Sequence, residues 1–397
     1  MADESSDVAV IGAGPAGLCQ AVELAGAGLQ VSVIDRLSKA QLAEPADDGR
    51  EIALTHASRK HLERCGIWQH LDPQACAPIR EVRLYNGHES RGLILADTPR
   101  DAQQPLGWLV ANRAIRRAAF LAASACASIE WLDGRQVSGL RRDTRTLNVT
   151  FDAASECPAR LVVGADGRFS MSRRLMGVPA QLHDSGQRLL VGRVSHERPH
   201  GQVTWSWFDY GQALSLLPLQ GSNASLVMTL DPADAERLLA LGAEAFSAEI
   251  TRRYRHCLGD MRRSGEFHAY PLVESRAERL TAPRFALIGD AALGLHPVTA
   301  HGFNVGLASV RRLAEEVRKA RTSGRDIGAD TLLAAYERRH RRATQPLWLA
   351  SRSLTALYGD TQPLARLARH GLLGAARHAK PLRWLLGGYL RDGFGQR

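Results

Sequence analysis

Three short stretches carry residue types that could bind a cofactor or support chemistry. The first is Gly12-Ala13-Gly14-Pro15-Ala16-Gly17, set between the apolar run Val8 to Ile11 and a helical stretch from Leu18 to Ala27. Gly12 permits a tight turn, Gly14 lets backbone approach a pyrophosphate, and Gly17 allows close packing of helix on strand. A helix start behind such a turn offers free N–H groups and the positive end of its dipole to phosphate. A second apolar run, Val31 to Ile34, ends in Asp35, 18 residues past Gly17, where a carboxylate can accept hydrogen bonds from a ribose. Strand, glycines, helix, strand and acid in that order form a dinucleotide site, whereas the glycines alone would be a weak signal.

The second stretch, Leu161 to Gly164 followed by Ala165-Asp166-Gly167, is an apolar strand ending in Asp-Gly. The third, Phe285 to Ile288 followed by Gly289-Asp290, repeats that theme and runs on through His296, Pro297 and His301 to Gly302-Phe303-Asn304. An Asp at the carboxyl end of a strand is placed to bind sugar hydroxyls in a sheet's crevice, although a lone Asp-Gly is more often a turn. Gly302 and Asn304 at the start of the next helix, which reaches about Ala320, can offer N–H groups to an electron-rich ring edge. His296 and His301 are the titratable side chains of this last segment, and either could polarise a substrate hydroxyl. Each also has a packing role open to it: His296 as a structural hydrogen-bonder before Pro297, His301 as a helix-start residue. The chain shows no metal-spaced His/Cys cluster, no G-x-S-x-G elbow and no cysteine marked as a nucleophile, so no metal is expected.

These motifs need a parallel sheet to present them, with strands from the first 180 residues and from Phe285 to Ile288. The middle, roughly 180 to 280, alternates apolar and polar residues in Leu189 to Val194, Val203 to Phe208, Ala213 to Leu217 and Ala224 to Leu230. That period indicates a half-buried, antiparallel sheet. Trp205 and Trp207 share a face, lining an aromatic site or packing in the core. The expected fold class is α/β: a Rossmann-type domain from 1–75, 105–180 and 281–335, interleaved with an antiparallel-sheet substrate domain from 76–104 and 181–280. C-terminal helices occupy 336–397.

The chain has 397 residues with 51 basic and 41 acidic side chains, a net charge of +10. From Arg341 to Arg397 ten basic residues face two acids, so the tail alone holds +8 and the body is nearly neutral. Nucleic acid is therefore not an expected partner, because the basic residues form no reading motif. After Pro363 a helical wheel gathers Arg366, Arg369, His370, Arg377 and Lys380 opposite Leu364, Leu367 and Leu372. This is either a solvated face of a packed helix or a contact with an anionic bilayer or biosynthetic partner. The six cysteines show no C-x-x-C pair, and the acidic N-terminus lacks signal-peptide character. The expected location is cytoplasmic, with a peripheral position on the inner membrane face as the tail's functional alternative.

Together the three motifs resemble the class A flavoprotein monooxygenases, the aromatic-ring hydroxylases related to p-hydroxybenzoate hydroxylase. Gly49-Arg50-Glu51-Ile52-Ala53-Leu54, Leu62 to Trp68, Asn112-Arg113 and Gly211 to Leu219 are similar to the ubiquinone-biosynthesis branch. Pro297-Val298-Thr299-Ala300-His301-Gly302-Phe303-Asn304 is similar to a subgroup described as 5-demethoxyubiquinol hydroxylases. The resemblance implies FAD on Gly12, Gly14, Ala16, Gly17, Asp35, Arg36, Arg50 and Arg113, with Gly289 and Asp290 on the ribityl chain. It places Pro297, Gly302, Phe303 and Asn304 beside the isoalloxazine, and gives Asp166 a role with both FAD and the nicotinamide. NAD(P)H would be the reductant and O₂ the co-substrate. A C4a-hydroperoxyflavin would hydroxylate a hydrophobic phenol or quinol, as on a ubiquinone precursor. Leu293 stands where the family has His, and Ala300 and His301 where it has Gly and Gln. Leu293 and Ala300 leave a non-catalytic flavin-bound subunit as one alternative, and a soluble hydroxylase of phenolic catabolism or secondary metabolism is another.

Overall fold

The computed structural model describes residues 6–87, 92–96, 104–151, 155–209, 212–296 and 301–359. Its first layer follows from short β-branched runs, buried on both sides, that pair in parallel. Phe285–Leu287, Glu156–Gly164, Ser6–Ile11, Val31–Ile34 and Ile129–Leu132 lie side by side in that order, all parallel. Val8, Ala9, Val10, Leu161, Val162 and Val163 are fully buried at its centre. The strand order reverses at Ser6–Ile11, with the next strand on one side and Glu156–Gly164 on the other. A crevice opens at the carboxyl ends of strands at such a point. The three motifs therefore meet, because each follows one of three adjacent strands.

Helix Pro15–Gly26 packs on Asn112–Ser124 and on Gly302–Thr322, closing this core. The sequence reading began the first helix at Leu18; Pro15 starts it, because its fixed φ suits the first helical position.

The second layer is a nine-stranded sheet built around the 17-residue strand Ala180–His196, which pairs with His268–Ala277 and Asn223–Leu230. Gln212–Pro218 and Val203–Asp209 continue it in antiparallel fashion. Glu81–Asn86 then joins parallel to Val203–Asp209, a departure from the wholly antiparallel expectation. Helices Pro232–Leu239 and Ala243–Arg253, not foreseen in the alternating pattern, cover one face through Leu238, Phe246, Ile250 and Tyr254. Trp207 is buried there, stacked on Tyr85 at 5.6 Å and edge-on to Tyr254 at 5.8 Å. Trp205 and Trp207 are thus core residues.

A three-stranded antiparallel sheet, Glu51–Leu54, Gly107–Ala111 and Ala77–Ile79, links the layers. The helix Asp330–Gly359 runs past Pro346 and is tied to the parallel sheet by Tyr336, whose hydroxyl donates to the Leu287 carbonyl at 2.7 Å. Among the described residues all six cysteines are unpaired, and no helix is long and apolar enough to cross a membrane. Residues 360–397, with seven of the ten basic residues counted from Arg341 onward, lie outside the described residues.

Three buried histidines are expected to make the fold acid-labile. Burial lowers His61 and His296 to about 4 and His340 to about 3, the last with Arg312 donating to its Nδ1 at 2.9 Å. Each binds its proton more readily when unfolded. Its contribution is therefore complete above about pH 6.5 and lost as pH falls from there toward 4. Thermal melts should lose stability across that window at a slope approaching about 4 kcal/mol per pH unit, the uptake of about three protons. A flat profile between pH 6.5 and 4.5 would contradict this.

Candidate active site

The glycine turn is built by exclusion. A Cβ on Gly17 would stand 1.9 Å from the Gly12 carbonyl oxygen, and one on Gly12 would stand 2.7 Å from that of Ala165. Gly12 also has φ +106°, a conformation that glycine alone adopts without strain. Gly14 differs: its φ is −69°, and a Cβ there meets nothing within 4 Å. Gly14 is the N-cap of the first helix and offers no capping side chain, so the first-turn N–H groups point at that open space. The residues present fit a pyrophosphate.

Asp35 closes the turn from the next strand. Its Oδ2 accepts from the Ala13 N–H at 2.7 Å and its Oδ1 from the Leu37 N–H at 2.9 Å. Each oxygen keeps a lone pair for a ribose hydroxyl. Arg36 and Arg113 are exposed at the ends of Val31–Ile34 and Gly107–Ala111. Arg50 pairs with Asp48 and lies over the Tyr270 ring at 5.5 Å, while Asn112 donates to the same Asp48 at 2.7 Å. The Arg50 guanidinium, bonded to the Asp48 side chain, holds that carboxyl below its ordinary value against the opposing pull of burial.

The two Asp motifs are used differently. Asp166 accepts from the Ser170 hydroxyl at 2.5 Å, from the Ser172 N–H at 2.8 Å and from its hydroxyl at 2.8 Å. Its carboxylate thus pins the start of Met171–Leu175. Asp290 is over a third exposed and paired with Arg168 at 2.9 Å. Arg168 also donates to the Val273 carbonyl, and the buried Arg173 reaches the carbonyls of Arg168 and Ala291. Two arginines therefore join the second motif to the third, a link absent from the motif spacing because it depends on tertiary contact.

The third motif lies against the first. Gly289 adopts φ +60°, and a Cβ on it would stand 3.1 Å from that of Ala16. The Gly289 N–H donates to the buried Ser309 hydroxyl at 3.0 Å. Asn304 uses its side chain as a clamp: Nδ2 donates to the Ala53 carbonyl at 2.8 Å and Oδ1 accepts from the Thr55 N–H at 3.1 Å. A Cβ on Gly302 meets nothing within 4 Å, so the start of this helix also opens onto free space. Phe303 packs against the core of the parallel sheet. His301 is buried at the N-cap position, and His296 is buried and held neutral by desolvation, with His183 and Arg168 adding to the effect. Pro297, expected beside the isoalloxazine, lies outside the described residues, as does Ala300. Leu293, at the family's His position, belongs to an apolar cluster with Leu295, Val305, Leu347 and Trp348.

Residues 5–348 match the family model described as "FAD binding domain". The chain belongs to that family. It is 36% identical over 384 residues to the ubiquinone hydroxylase UbiM of Neisseria meningitidis, covering 96% of this chain and 83% of that protein. It is 35% identical over 395 residues to the ubiquinone hydroxylase UbiL of Rhodospirillum rubrum, covering 99% and 90%. Its fold is shared with p-nitrophenol 4-monooxygenase PnpA from Pseudomonas putida at TM-score 0.78, with 17% identity and 99% of each chain covered. The resemblance read from the motifs is that of this family, and the chain is an FAD-dependent hydroxylase with the p-hydroxybenzoate hydroxylase-like α/β fold.

Proposed function

We propose that this chain hydroxylates the aromatic ring of a prenylated phenol or quinol in ubiquinone biosynthesis, drawing on NAD(P)H and O₂. The observation that carries the reading is the near-full-length similarity to two ubiquinone hydroxylases, joined to a glycine turn whose one open position faces the first helix. Bound FAD supplies the redox and oxygen chemistry. The protein's part is to bind, orient and keep the site dry. Gly12, Gly14, Ala16 and Gly17 with the first-turn N–H groups hold the pyrophosphate, and Asp35 holds the ribose. Arg36, Arg50 and Arg113 supply positive charge toward the adenine-side phosphates. Gly289 and Asp290, the latter steadied by Arg168, face the ribityl chain, and Gly302, Phe303 and Asn304 border the ring. Asp166 acts at one remove, fixing the Arg168 and Arg173 segment. The FAD-binding part is 1–75, 105–180 and 281–335, and the substrate part is 76–104 and 181–280.

His296 is neutral across the working pH range, which suits a hydrogen bond to the substrate's ring hydroxyl rather than storage of a proton. His301 sets the helix start. His301→Gln is expected to keep turnover within about threefold, whereas a catalytic acid or base is worth about a hundredfold or more. A hundredfold loss with FAD retained would place His301 in the chemistry as well.

The tail is the proposed membrane contact, supported by its +8 balance between Arg341 and Arg397. Full-length protein should co-sediment with anionic vesicles in a salt-sensitive way, and a chain ending at Gln362 should not. Equal, salt-insensitive behaviour of the two would remove the contact. The whole reading is tested by substrate-dependent hydroxylation with NAD(P)H; oxidation indifferent to every phenol and quinol would favour a non-catalytic flavin-bound subunit.

A further inference from the structure

The helix behind the glycine turn and the helix His56–Arg64 meet across a buried cluster that the flavin reaction does not use. Glu23 lies on the first helix, His61 on the second and Cys65 at the second's C-cap. Their donor atoms, one from each residue, all lie within 4.8 Å of one another. Cys65 Sγ is 3.3 Å from Glu23 Oε1, His61 Nδ1 is 3.5 Å from that same oxygen, and Cys65 Sγ is 3.8 Å from His61 Nε2. A tetrahedral zinc ion with its usual sulfur, nitrogen and oxygen bond lengths holds its ligand atoms about 3.3–3.6 Å apart. The cluster is already near that spacing, although His61 turns Nδ1 to Glu23 and Nε2 to Cys65, so one nitrogen must swing to the centre as the ion binds.

The sequence hides the set because its members come from two helices. His61 and Cys65 are one turn apart on the second, and Glu23 meets them from the first. Cys19, fully buried on the first helix, lies outside this group. Arg318 holds the other oxygen of Glu23 at 2.9 Å, leaving Oε1 directed at the cluster. Arg64 donates to His61 Nδ1 at 3.0 Å, but its side chain is 57% exposed, so it can withdraw into solvent. Burial keeps His61 neutral, the form that binds metal.

We propose that Glu23, His61 and Cys65 form a site for a borderline divalent cation of the zinc type, with water completing its coordination. On binding, the Cys65 S–H bond is exchanged for a sulfur–metal bond, and the proton leaves to solvent. The ion would clip the helix carrying the pyrophosphate turn to the helix capped by Thr55, whose N–H is bonded to Asn304 at the flavin edge. It would serve to hold the two ends of the cofactor site in register.

The test uses the full-length, FAD-loaded protein after dialysis against a chelator, titrated with Co²⁺ and then Zn²⁺. One equivalent of Co²⁺ should give d–d bands to the red of the flavin absorption, displaced by Zn²⁺, and Zn²⁺ should raise Tm. Cys65→Ser and His61→Gln should each weaken binding by at least about ten- to a hundredfold, while Cys157→Ser, at a buried thiol elsewhere, should leave it unchanged. Absence of both the bands and the Tm rise in the wild-type protein would overturn the site. So would bands that survive both Cys65→Ser and His61→Gln. The wild-type titration decides the matter even where a variant fails to fold.

Discussion

Gly14→Val should give a folded, soluble protein that no longer retains FAD. The backbone at Gly14 has φ −69°, which any L-residue adopts, and a new Cβ meets no protein atom within 4 Å. The substitution therefore costs the fold little. The space it enters is the one that the first-turn N–H groups face, where a pyrophosphate would lie. Losing even two charge-assisted hydrogen bonds there costs about 3 kcal/mol or more, equivalent to a hundredfold or greater loss in affinity. The expected result is a wild-type far-UV spectrum and a Tm within a few degrees of FAD-free wild type, with FAD binding weakened at least about a hundredfold by fluorescence titration. Unchanged FAD retention would mean that the glycine turn is not the phosphate site.

Gly17→Ala should do the opposite and strike the fold itself. Its methyl group would lie 1.9 Å from the Gly12 carbonyl oxygen, within covalent-like reach, and the third nearest atom is the Ala165 Cβ at 3.2 Å. Neither neighbour is the far end of a flexible side chain. The helix must lift from the strand or the turn must reshape, and both disturb the centre of the parallel core. Overpacking of this kind typically costs about 1–3 kcal/mol, and a backbone clash this close belongs at or above the upper end. Denaturant melts of the FAD-free protein should show it, alongside low soluble yield. A Gly17→Ala protein as stable as wild type would contradict the packing role assigned to that glycine. The pair of variants separates ligand space from packing space, two reasons for glycine that look identical in a G-x-G-x-x-G string.

The cofactor side of the site was legible because each motif is a contiguous strand, turn and helix start. Local chemistry decides such units: Gly12 for its φ and Asp35 for the strand end, although the helix start at Pro15 was read three residues late. What ties the motifs together was not legible. Arg168 on Asp290, Arg173 on the Ala291 carbonyl, and Asn112 on Asp48 all join residues distant in sequence, and no periodicity records them. The same holds for Arg193, which reaches across to the buried Glu51 at 2.8 Å. Strand alternation located the second sheet, since burial of one face imposes period two. It did not register the two helices that cover it, although Asp231-Pro232 was a helix-start signal, with the Asp231 side chain accepting from the Ala233 N–H. The tryptophan pair illustrates the limit of composition. Shared facing was legible, but only the neighbours Tyr85 and Tyr254 assign Trp207 to the core. The basic tail was a count from the sequence, and its partner is a matter for the vesicle measurement.

The central claim is that this flavoprotein carries one oxygen atom from O₂ onto an electron-rich ring. The most direct measurement is aerobic NAD(P)H oxidation by the FAD-loaded protein with a prenylated phenol or demethoxyquinol, using isotopically labelled O₂ and mass analysis of the ring. Oxidation should accelerate on adding the substrate, the product should gain one labelled oxygen, and the Gly14→Val protein should do neither. Oxidation that is the same with and without substrate, with the ring recovered unlabelled, would contradict the claim.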